Sequence, residues 1–539
     1  MYWLNSACLY RSSQIDKTTA QRNSDRTRCS NHKSAPRDLW SSVYTLRCFR
    51  FYVTSLVLLS LLITPVAAQR DTPLSLAAAI EKTLVDAISR TERSIVAIAR
   101  VRKDRFANLD ERTGPLRQFP LGLTARPTPT DPEFVPNEYA TGIVVDQAGL
   151  ILTNYHVLGP PTRDPSVETL NEFYVTTSDR KVFKVERIKA ADPWSDLAVL
   201  EINTDNLTPV VWGDTNQLKK GQFVISLGNP YAIARDGQAS AAWGIISNFS
   251  RKVEPRQTTS STLNNGQIHH YGSLIQTDTK LSLGTSGGAL MNLKGEVIGL
   301  TTALAATAGY EMAAGFAIPA DASFQRIVET LKKGQEVEYG FLGVAPLNLA
   351  QSERLDGKHG VLVGEVISST PADTADIRRN DLITHINNQP IYDTDGLILQ
   401  VGRLSVDQSV ELTVLRGSQK LYKEVRLTKK SVSTLRQPIV TKYSSAWRGI
   451  RVDYATSIPN FKTVYDGIDA ADCIAIIEVA LDSSAAEAGL RSGMLLTHVE
   501  NVRVRTPSEF FQATSKHDGA ANLKFLEPSG ERAELVVQP

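Results

Sequence analysis

Short apolar runs separated by turn-forming residues dominate the middle of the chain. Ten of these runs, rich in Val and Ile, predict β-strands at Ser94–Val101, Thr141–Val145, Leu150–Thr153, Phe173–Thr177, Val182–Ile188, Leu197–Ile202, Gln222–Leu227, Ala241–Ser247, Glu296–Thr301 and Gly315–Ile318. Strands this short and this frequent favour an all-β barrel or sandwich over alternating strands and helices. Ahead of them, apolar residues recur at helical spacing across residues 74–93, which predicts an N-terminal helix.

The C-terminal part of the chain contains one pattern twice. Residues 365–391 align without a gap onto residues 478–504, at an offset of 113 positions. Matching pairs include Ala372 and Ala485, Leu382 and Leu495, and His385 and His498. Residues 340–430 and 446–539 are therefore predicted to be two copies of one module, called here the first module and the second module, with a linker at 431–445.

An apolar run at residues 51–63 predicts an export signal in residues 1–68. Small residues at Val66 and Ala68 suit cleavage after Ala68. The run is shorter than the roughly 20 residues of a membrane-spanning helix, which favours a cleaved signal over the alternative of an uncleaved membrane anchor. The 50 residues ahead of the run are long for a signal segment, so a later translation start is a further hypothesis.

Composition and charge narrow the class of protein. The chain is 42% hydrophobic and 22% charged, as globular proteins are. Its formal net charge is +2, but residues 1–68 hold nine Lys/Arg and three Asp/Glu, which leaves 50 basic against 54 acidic groups. No basic stripe remains, so nucleic acid is not an expected partner. Cys473 is the one cysteine after residue 68 and no Cys/His metal spacing occurs, so we expect no internal disulfide, metal or other cofactor.

The segment Gly284-Thr285-Ser286-Gly287-Gly288 has the composition of a nucleophile turn. Glycines on both sides let the backbone turn sharply, and the amides of Gly284 and Ser286 can then point into one oxyanion hole. The same residues match the Gly-x-Ser-x-Gly elbow of α/β-hydrolases. That fold requires a helix after the serine and the order Ser, Asp, His, whereas a predicted strand follows Ser286, so we exclude it.

Elimination identifies the histidine that can act as the base. Of eight histidines, one lies in the signal segment, two in a polar loop and four in the repeated modules: His32; His269 and His270; His359, His385, His498 and His517. His156 remains, at the end of a predicted strand. Asp196 opens a later strand, where a carboxylate can lie beside an imidazole. The order His156, Asp196, Ser286 in a β-rich segment predicts a catalytic triad.

At these residues the sequence resembles the HtrA/DegP proteases. The segments that carry the resemblance are residues 142–157, 195–200, 228–230, 276–278, 284–290 and 315–319. The resemblance covers residue 75 to the end of the chain. It implies a mainly β protein, with a chymotrypsin-like double β-barrel protease domain at 69–330 followed by two PDZ-like domains at 340–430 and 446–539.

The resemblance also implies a function. It implies ATP-independent cleavage of unfolded or damaged exported proteins in the periplasm by a homotrimer or a multiple of trimers. His156 would take the proton of Ser286 and return it to the leaving amine, Asp196 would hold the imidazole, and the amides of Gly284 and Ser286 would hold the oxyanion. Ser282, Leu283 and Thr285 depart from the family's nucleophile loop. These departures keep open the alternative of a chaperone or peptide-binding scaffold with a mostly idle protease domain.

In the first module, Phe341-Leu342-Gly343-Val344 resembles the carboxylate-binding loop of PDZ domains. The resemblance implies that C-terminal peptides are captured by its backbone amides and add as a β-strand. In the second module Gly449-Ile450-Arg451-Val452 is expected at the equivalent place, with Arg451 where glycine is needed. That leaves open whether the second module binds peptides or serves in assembly or as a spacer.

Overall fold

The computed structural model describes residues 73–102, 138–159, 171–229, 237–251, 273–302, 315–431, 437–458, 461, 468–526 and 531–539. The predicted signal segment, residues 1–68, lies outside the described residues. Among the residues that are described, no helix is both long enough and apolar enough to cross a membrane.

An N-terminal helix is followed in sequence by six antiparallel strands, which form a first closed β-barrel. The helix is α1 Pro73–Thr91, and the strands are β1 Ile95–Arg102, β2 Glu138–Asp146, β3 Leu150–Asn154, β4 Asn171–Thr177, β5 Val182–Asp192 and β6 Leu197–Ile202. Their order is β5-β4-β1-β2-β3-β6, and an additional pairing of β5 with β6 closes the barrel. Apolar side chains from alternate positions, such as Ile98, Ile151 and Val175, are buried together in one cluster.

A second closed barrel follows. Its strands are β7 Phe223–Gly228, β8 Ser240–Arg251, β9 Leu274–Thr277, β10 Ala289–Met291, β11 Val297–Thr302 and β12 Gly315–Pro319, in the order β10-β11-β12-β9-β8-β7. One apolar cluster contains residues of both barrels, among them Leu152 of β3 and Leu227 of β7. Helix α2, Ala322–Lys332, begins after Asp321, whose side chain accepts the Phe324 amide. The apolar cluster shows that the two barrels share a buried contact.

The barrel prediction is confirmed, with differences at the ends of the strands. The ten predicted strands correspond to β1–β8, β11 and β12, and the predicted helix corresponds to α1. Strands β9 and β10 were not predicted. They have four and three residues, and β10 directly follows the glycines of the nucleophile turn, which the sequence marks as a turn.

The two C-terminal modules share one strand order, as the sequence repeat predicts. The first module contains β13 Gly340–Phe341, β14 Val344–Asn348, α3 Gln351–Leu355, β15 Val361–Val366, α4 Pro371–Thr374, β16 Leu382–Ile386, β17 Gln389–Pro390, α5 Thr394–Arg403, β18 Ser409–Arg416, β19 Gln419–Arg426 and β20 Thr428–Lys429. Its sheet runs β14-β15-β16-β18-β19. The mainly β fold of two barrels followed by PDZ-type domains is thereby confirmed.

The second module repeats this arrangement after a short connecting strand. Its elements are β22 Ile450–Tyr454, β23 Ile474–Val479, α6 Ser484–Glu487, β24 Leu495–Val499, β25 Val502–Arg503, α7 Pro507–Thr514, β26 Ala521–Leu526 and β27 Arg532–Val537, with sheet order β22-β23-β24-β26-β27. The connecting strand β21, Ile439–Val440, lies in the predicted linker and pairs with β5 of the first barrel. The linker is therefore paired with the first barrel. The sequence did not predict this pairing, because a strand of two residues is too short to form a recognisable pattern.

Candidate active site

His156 and Asp196 come from neighbouring strands of the first barrel. Strand β3 ends at Asn154, and the next turn, a 3-10 helix at Tyr155–Leu158, carries His156. Strand β6 begins at Leu197, one residue after Asp196. Asn154 and Leu197 are paired in the β3–β6 register, so the two candidate residues lie at the same end of one strand pair.

A chain of hydrogen bonds joins Asp196, His156 and Ser286. Asp196 Oδ2 lies 2.8 Å from His156 Nδ1, and His156 Nε2 lies 3.0 Å from Ser286 Oγ. Asp196 Oδ1 also accepts the backbone amide of His156 at 2.9 Å, so both carboxylate oxygens face the same residue. A neutral imidazole with its proton on Nδ1 donates to Asp196 and accepts from the Ser286 hydroxyl. The arrangement is suited to removing the proton of that hydroxyl.

Ser286 approaches this pair from the second barrel, in the nucleophile loop, defined here as residues 282–288. The loop packs so closely against the first barrel that a side chain cannot fit at Gly287. A Cβ there would lie 2.1 Å from Thr141 O and 2.3 Å from Thr153 Oγ1, and Gly287 has a φ of 83°. Both the space and the left-handed backbone therefore require glycine beside the serine.

The peptide groups of the nucleophile loop are held by hydrogen bonds. Thr285 O accepts from Thr301 Oγ1 at 2.6 Å and from the Gly288 amide at 3.0 Å. Because N–H and C=O point in opposite directions in a trans peptide, the Ser286 amide points away from Thr301. The Thr285 hydroxyl, a departure from the family's loop, donates to Ser282 O at 2.7 Å and closes a turn.

Asp192 is a buried residue near the site that the sequence motifs did not reveal. Its Oδ2 accepts from the Ser195 amide at 2.7 Å, from the Ser195 hydroxyl at 2.5 Å and from the Tyr339 hydroxyl. Burial raises the pKa of Asp192, and these hydrogen bonds oppose the rise. The contacts order the turn that leads into Asp196. The aspartate–proline pair at the start of this turn is the local signal that could have identified it.

Comparisons with known proteins agree with this geometry. Residues 140–300 match the family described as trypsin-like peptidase domain, and residues 340–427 match the family described as PDZ domain. The chain is 30% identical over 407 residues to a probable periplasmic serine endoprotease DegP-like of Chlamydia trachomatis, which covers 74% of this chain and 73% of the relative. The chain belongs to the HtrA/DegP family of serine proteases.

A second relative supports the assignment of this HtrA/DegP protease. The periplasmic serine endoprotease DegP of Salmonella typhimurium is 29% identical over 383 residues, which covers 68% of this chain and 70% of that one. The solved HtrA-type protease AlgW with decapeptide covers 65% of this chain and 99% of its own at 23% identity, with a TM-score of 0.46. The assignment therefore rests on the sequence relatives. It makes the protein a serine endopeptidase of the HtrA type.

In this HtrA/DegP protease, the loop at residues 341–344 of the first module turns two of its carbonyl oxygens toward the rest of that module. Leu342 O accepts a hydrogen bond from the backbone amide of Ala372 in α4, and Gly343 O accepts one from the amide of Ile367, the residue after β15. Both distances are 2.8 Å. The amides of Gly343 and Val344 share those peptide planes and therefore point the other way. Gly343 has a φ of 90°, and a Cβ there would lie 2.0 Å from Thr370 Oγ1, so the position requires glycine.

The structure corrects the expected position of the equivalent loop in the second module. Gly449, and not Arg451, takes the place of Gly343. It has a φ of 91°, and a Cβ there would lie 2.1 Å from Ser483 Cβ, the counterpart of the threonine that Gly343 contacts. The loop is residues 447–450, so the predicted placement was wrong by two residues. Arg451 lies on β22 and does not occupy the glycine position.

The loop of the second module is closed on itself. The Ile450 amide donates to Trp447 O and the Trp447 amide to Ile450 O, both at 2.9 Å. Arg448 and Gly449, with φ values of 49° and 91°, form the tight turn between them. The Trp447 ring packs edge-on against Phe510 of α7, with 5.8 Å between ring centroids. Trp447 thus pairs with Ile450, the first residue of β22, on the side of that strand away from β23.

Proposed function

We propose that Ser286 is the nucleophile of this protease, His156 its general base and Asp196 the residue that orients the base. Ser286 Oγ attacks the carbonyl carbon of the scissile peptide while His156 Nε2 takes its proton. The tetrahedral intermediate collapses when the same proton passes to the leaving amine. Water then hydrolyses the acyl-enzyme by the same steps. The hydrogen-bond chain from Asp196 through His156 to Ser286 is the observation that carries this proposal.

The amides of Gly284 and Ser286 are the proposed donors to the oxyanion. Both amides belong to the nucleophile loop. They therefore lie beside the substrate carbonyl, whose oxygen becomes negatively charged as Ser286 attacks. Support comes from the hydrogen bonds of Thr285 O to Thr301 and Gly288, which orient the Ser286 amide before substrate arrives. A preoriented donor costs no reorganisation during the reaction.

The proposed substrates are unfolded or damaged exported proteins, cleaved without ATP in the periplasm. The names of the relatives, periplasmic serine endoproteases, support the compartment and the reaction. The first module is proposed to bind the C-terminal peptides of such proteins at Phe341, Leu342, Gly343 and Val344. The outward amides of that loop support this role, because a carboxylate accepts hydrogen bonds from such amides.

The rest of the organisation follows the family resemblance. We propose a signal segment at 1–68, a protease domain at 69–330, PDZ domains at 340–430 and 446–539, and a linker at 431–445. The proposed assembly is a homotrimer or a multiple of trimers. The closed loop at residues 447–450 favours a role for the second module other than capture of a peptide C-terminus.

Degradation of casein by the purified protein, in buffer without nucleotide, tests the proposal. We expect wild type to fragment casein and Ser286→Ala to lose at least about 10⁴-fold in rate, because alanine has no oxygen to attack the substrate carbonyl. Ser282→Ala is the matched control, since it removes a serine hydroxyl from the same loop without touching His156. It is expected to keep activity within about threefold of wild type.

Two results would contradict the proposal. Cleavage by Ser286→Ala at the wild-type rate would show that another group is the nucleophile. Failure of wild type to cleave casein, even with added C-terminal peptides, would favour the chaperone or scaffold alternative.

A further inference from the structure

Thr141 lies where three separate parts of the protease meet. It belongs to β2 of the first barrel, and its side chain is fully buried. The nucleophile loop of the second barrel packs on it, and so does the segment that follows β7. The sequence marks it only as a hydroxyl residue within an otherwise apolar run.

The hydroxyl of Thr141 is both an acceptor and a donor. It accepts from the Asn229 amide at 2.9 Å and donates to Gly284 O at 2.7 Å. The backbone of Thr141 adds two contacts: its amide donates to Ser286 O at 2.9 Å, and its carbonyl accepts from Thr153 Oγ1 at 2.8 Å. A hydroxyl can accept and donate at one atom, whereas an apolar side chain of the same shape does neither.

These contacts act on the residue that carries a proposed oxyanion donor. Gly284 has a φ of 93°, and glycine is the residue whose backbone rotates most freely. Its carbonyl is held by Thr141, so the peptide group that follows Gly284 is fixed. The Gly284 amide belongs to the preceding peptide group and turns about the same Cα. Anchoring the carbonyl therefore removes rotation about the Cα–C bond of Gly284 and leaves rotation about its N–Cα bond as the remaining freedom between the two peptide groups.

We propose that Thr141 is a positioning residue of the oxyanion hole. Its hydroxyl holds Gly284 in the conformation in which the Gly284 amide faces the developing oxyanion, through a relay that begins at the Asn229 amide. The inference rests on the proposed function, because it assumes that Gly284 and Ser286 supply the oxyanion donors. It also gives the end of β7 a direct route to the nucleophile loop.

Thr141→Val and Thr141→Ser separate the hydroxyl from the space that the side chain fills. Valine keeps the shape and loses the relay, whereas serine keeps the relay. Loss of a whole oxyanion donor costs about 100–1,000-fold in rate, so a misaligned donor in Thr141→Val is expected to cost about 10-fold or more in kcat. KM is expected to stay within about twofold, and Thr141→Ser to keep kcat within about threefold of wild type.

A peptide aldehyde supplies a readout that a merely structural role would not change. It adds reversibly to a serine nucleophile and forms a tetrahedral adduct whose oxygen needs the same hole. Affinity for the aldehyde should therefore fall in Thr141→Val by the same factor as kcat. Thr91→Val is the matched control, because it removes another buried threonine hydroxyl of the protease, one that donates to Gly295 O at 2.7 Å, outside the nucleophile loop. Its kcat is expected within about threefold of wild type.

Several outcomes overturn the inference. These are a wild-type kcat in Thr141→Val, a loss of kcat without a matching loss of aldehyde affinity, or a Thr141→Ser variant as slow as Thr141→Val. If Thr141→Val does not fold, Thr141→Ala gives the same comparison with Thr141→Ser without added bulk. Ser286→Ala in the same assay tests the proposed function separately: if it remains active, the triad proposal fails whatever the Thr141 variants do.

Discussion

Asp196 combines a left-handed backbone with a shielded carboxylate. Its φ is 55°, a conformation that aspartate and asparagine adopt more readily than most residues. Its side chain is 6% exposed, whereas that of His156 is 30% exposed. The charge is therefore kept from water beside the imidazole, and the imidazole stays accessible to substrate. Both hydrogen bonds from His156 hold this geometry, so the orientation of the base depends on this one residue.

Asp196→Asn separates the charge of this residue from its shape. Asparagine fits the left-handed backbone and the same volume, but its neutral amide does not hold the imidazole proton on Nδ1. We expect kcat on a peptide substrate to fall about 10⁴-fold with KM within about twofold, measured by steady-state kinetics. An unchanged thermal midpoint would show that the fold is intact. A variant that keeps more than about a tenth of the wild-type kcat would contradict the role proposed for Asp196.

At the scale of elements, equal strand order does not make the two modules equivalent. In the first module Leu342 packs into the apolar core, and the loop that contains it turns two amides outward. In the second module its counterpart is Arg448, which donates to Val537 O at 2.5 Å and lies 4.5 Å from the centroid of the Trp447 ring. These contacts keep the second loop closed. We therefore expect a peptide C-terminus to bind the first module and not the second.

Gly343→Ala and Gly449→Ala form a matched pair that tests this expectation. Each adds one methyl group at a left-handed glycine that touches a threonine or serine side chain, so each should strain its own module similarly. We expect Gly343→Ala to weaken binding at least about tenfold and Gly449→Ala to leave it unchanged. Binding is measured by fluorescence anisotropy of a labelled peptide with a free apolar C-terminus, in the Ser286→Ala background. A loss confined to Gly449→Ala would assign the peptide site to the second module.

At the scale of the whole molecule, one buried lysine joins the first module to the second module and to the segment between α2 and β13. Lys429, in β20 of the first module, is 4% exposed, and its Nζ lies 2.7 Å from Asp453 of the second module. Glu336 and Glu338, which follow α2, lie 3.2 Å and 3.5 Å away. Burial alone would lower the pKa of Lys429, but the three carboxylates outweigh it and raise that pKa. Burial raises the pKa of both glutamates, and the charge of Lys429 opposes the rise.

Lys429→Met removes this cation and keeps the length of the side chain. The carboxylates are then left without their partner, which costs about 3–5 kcal/mol for a buried pair, so the second module should detach more readily. We expect thermolysin to release it faster than from wild type, both in the Ser286→Ala background, as followed by mass spectrometry. Lys184→Met is the control, because its ion pair with Glu172 is exposed and contributes about 1 kcal/mol at most. Equal release from both variants would contradict the joining role of Lys429.

Local patterns were enough for the parts of this protein that depend on neighbours in sequence. Short runs rich in Val and Ile, bounded by turn-forming residues, identified ten of the twelve barrel strands, because β-branched side chains suit a strand that packs against a core. The repeat predicted two modules of one strand order. His156 was found because few histidines lie in the barrel segment, and the structure brings it within 3.0 Å of Ser286. Arg451 was misplaced because only the contact of Gly449 with Ser483 shows which glycine corresponds to Gly343.

The sequence by itself therefore determined the barrel class, the two modules and the three residues of the proposed triad. The tertiary structure decided which distant groups meet. Thr141 and Gly284 are 143 positions apart, and Asp192 and Tyr339 are 147 apart. Each is an ordinary residue in its own segment, so no spacing or motif marks its partner. Such hydrogen bonds form only where closure of the two barrels and docking of the modules bring a donor and an acceptor together, and that depends on the packing of the whole chain.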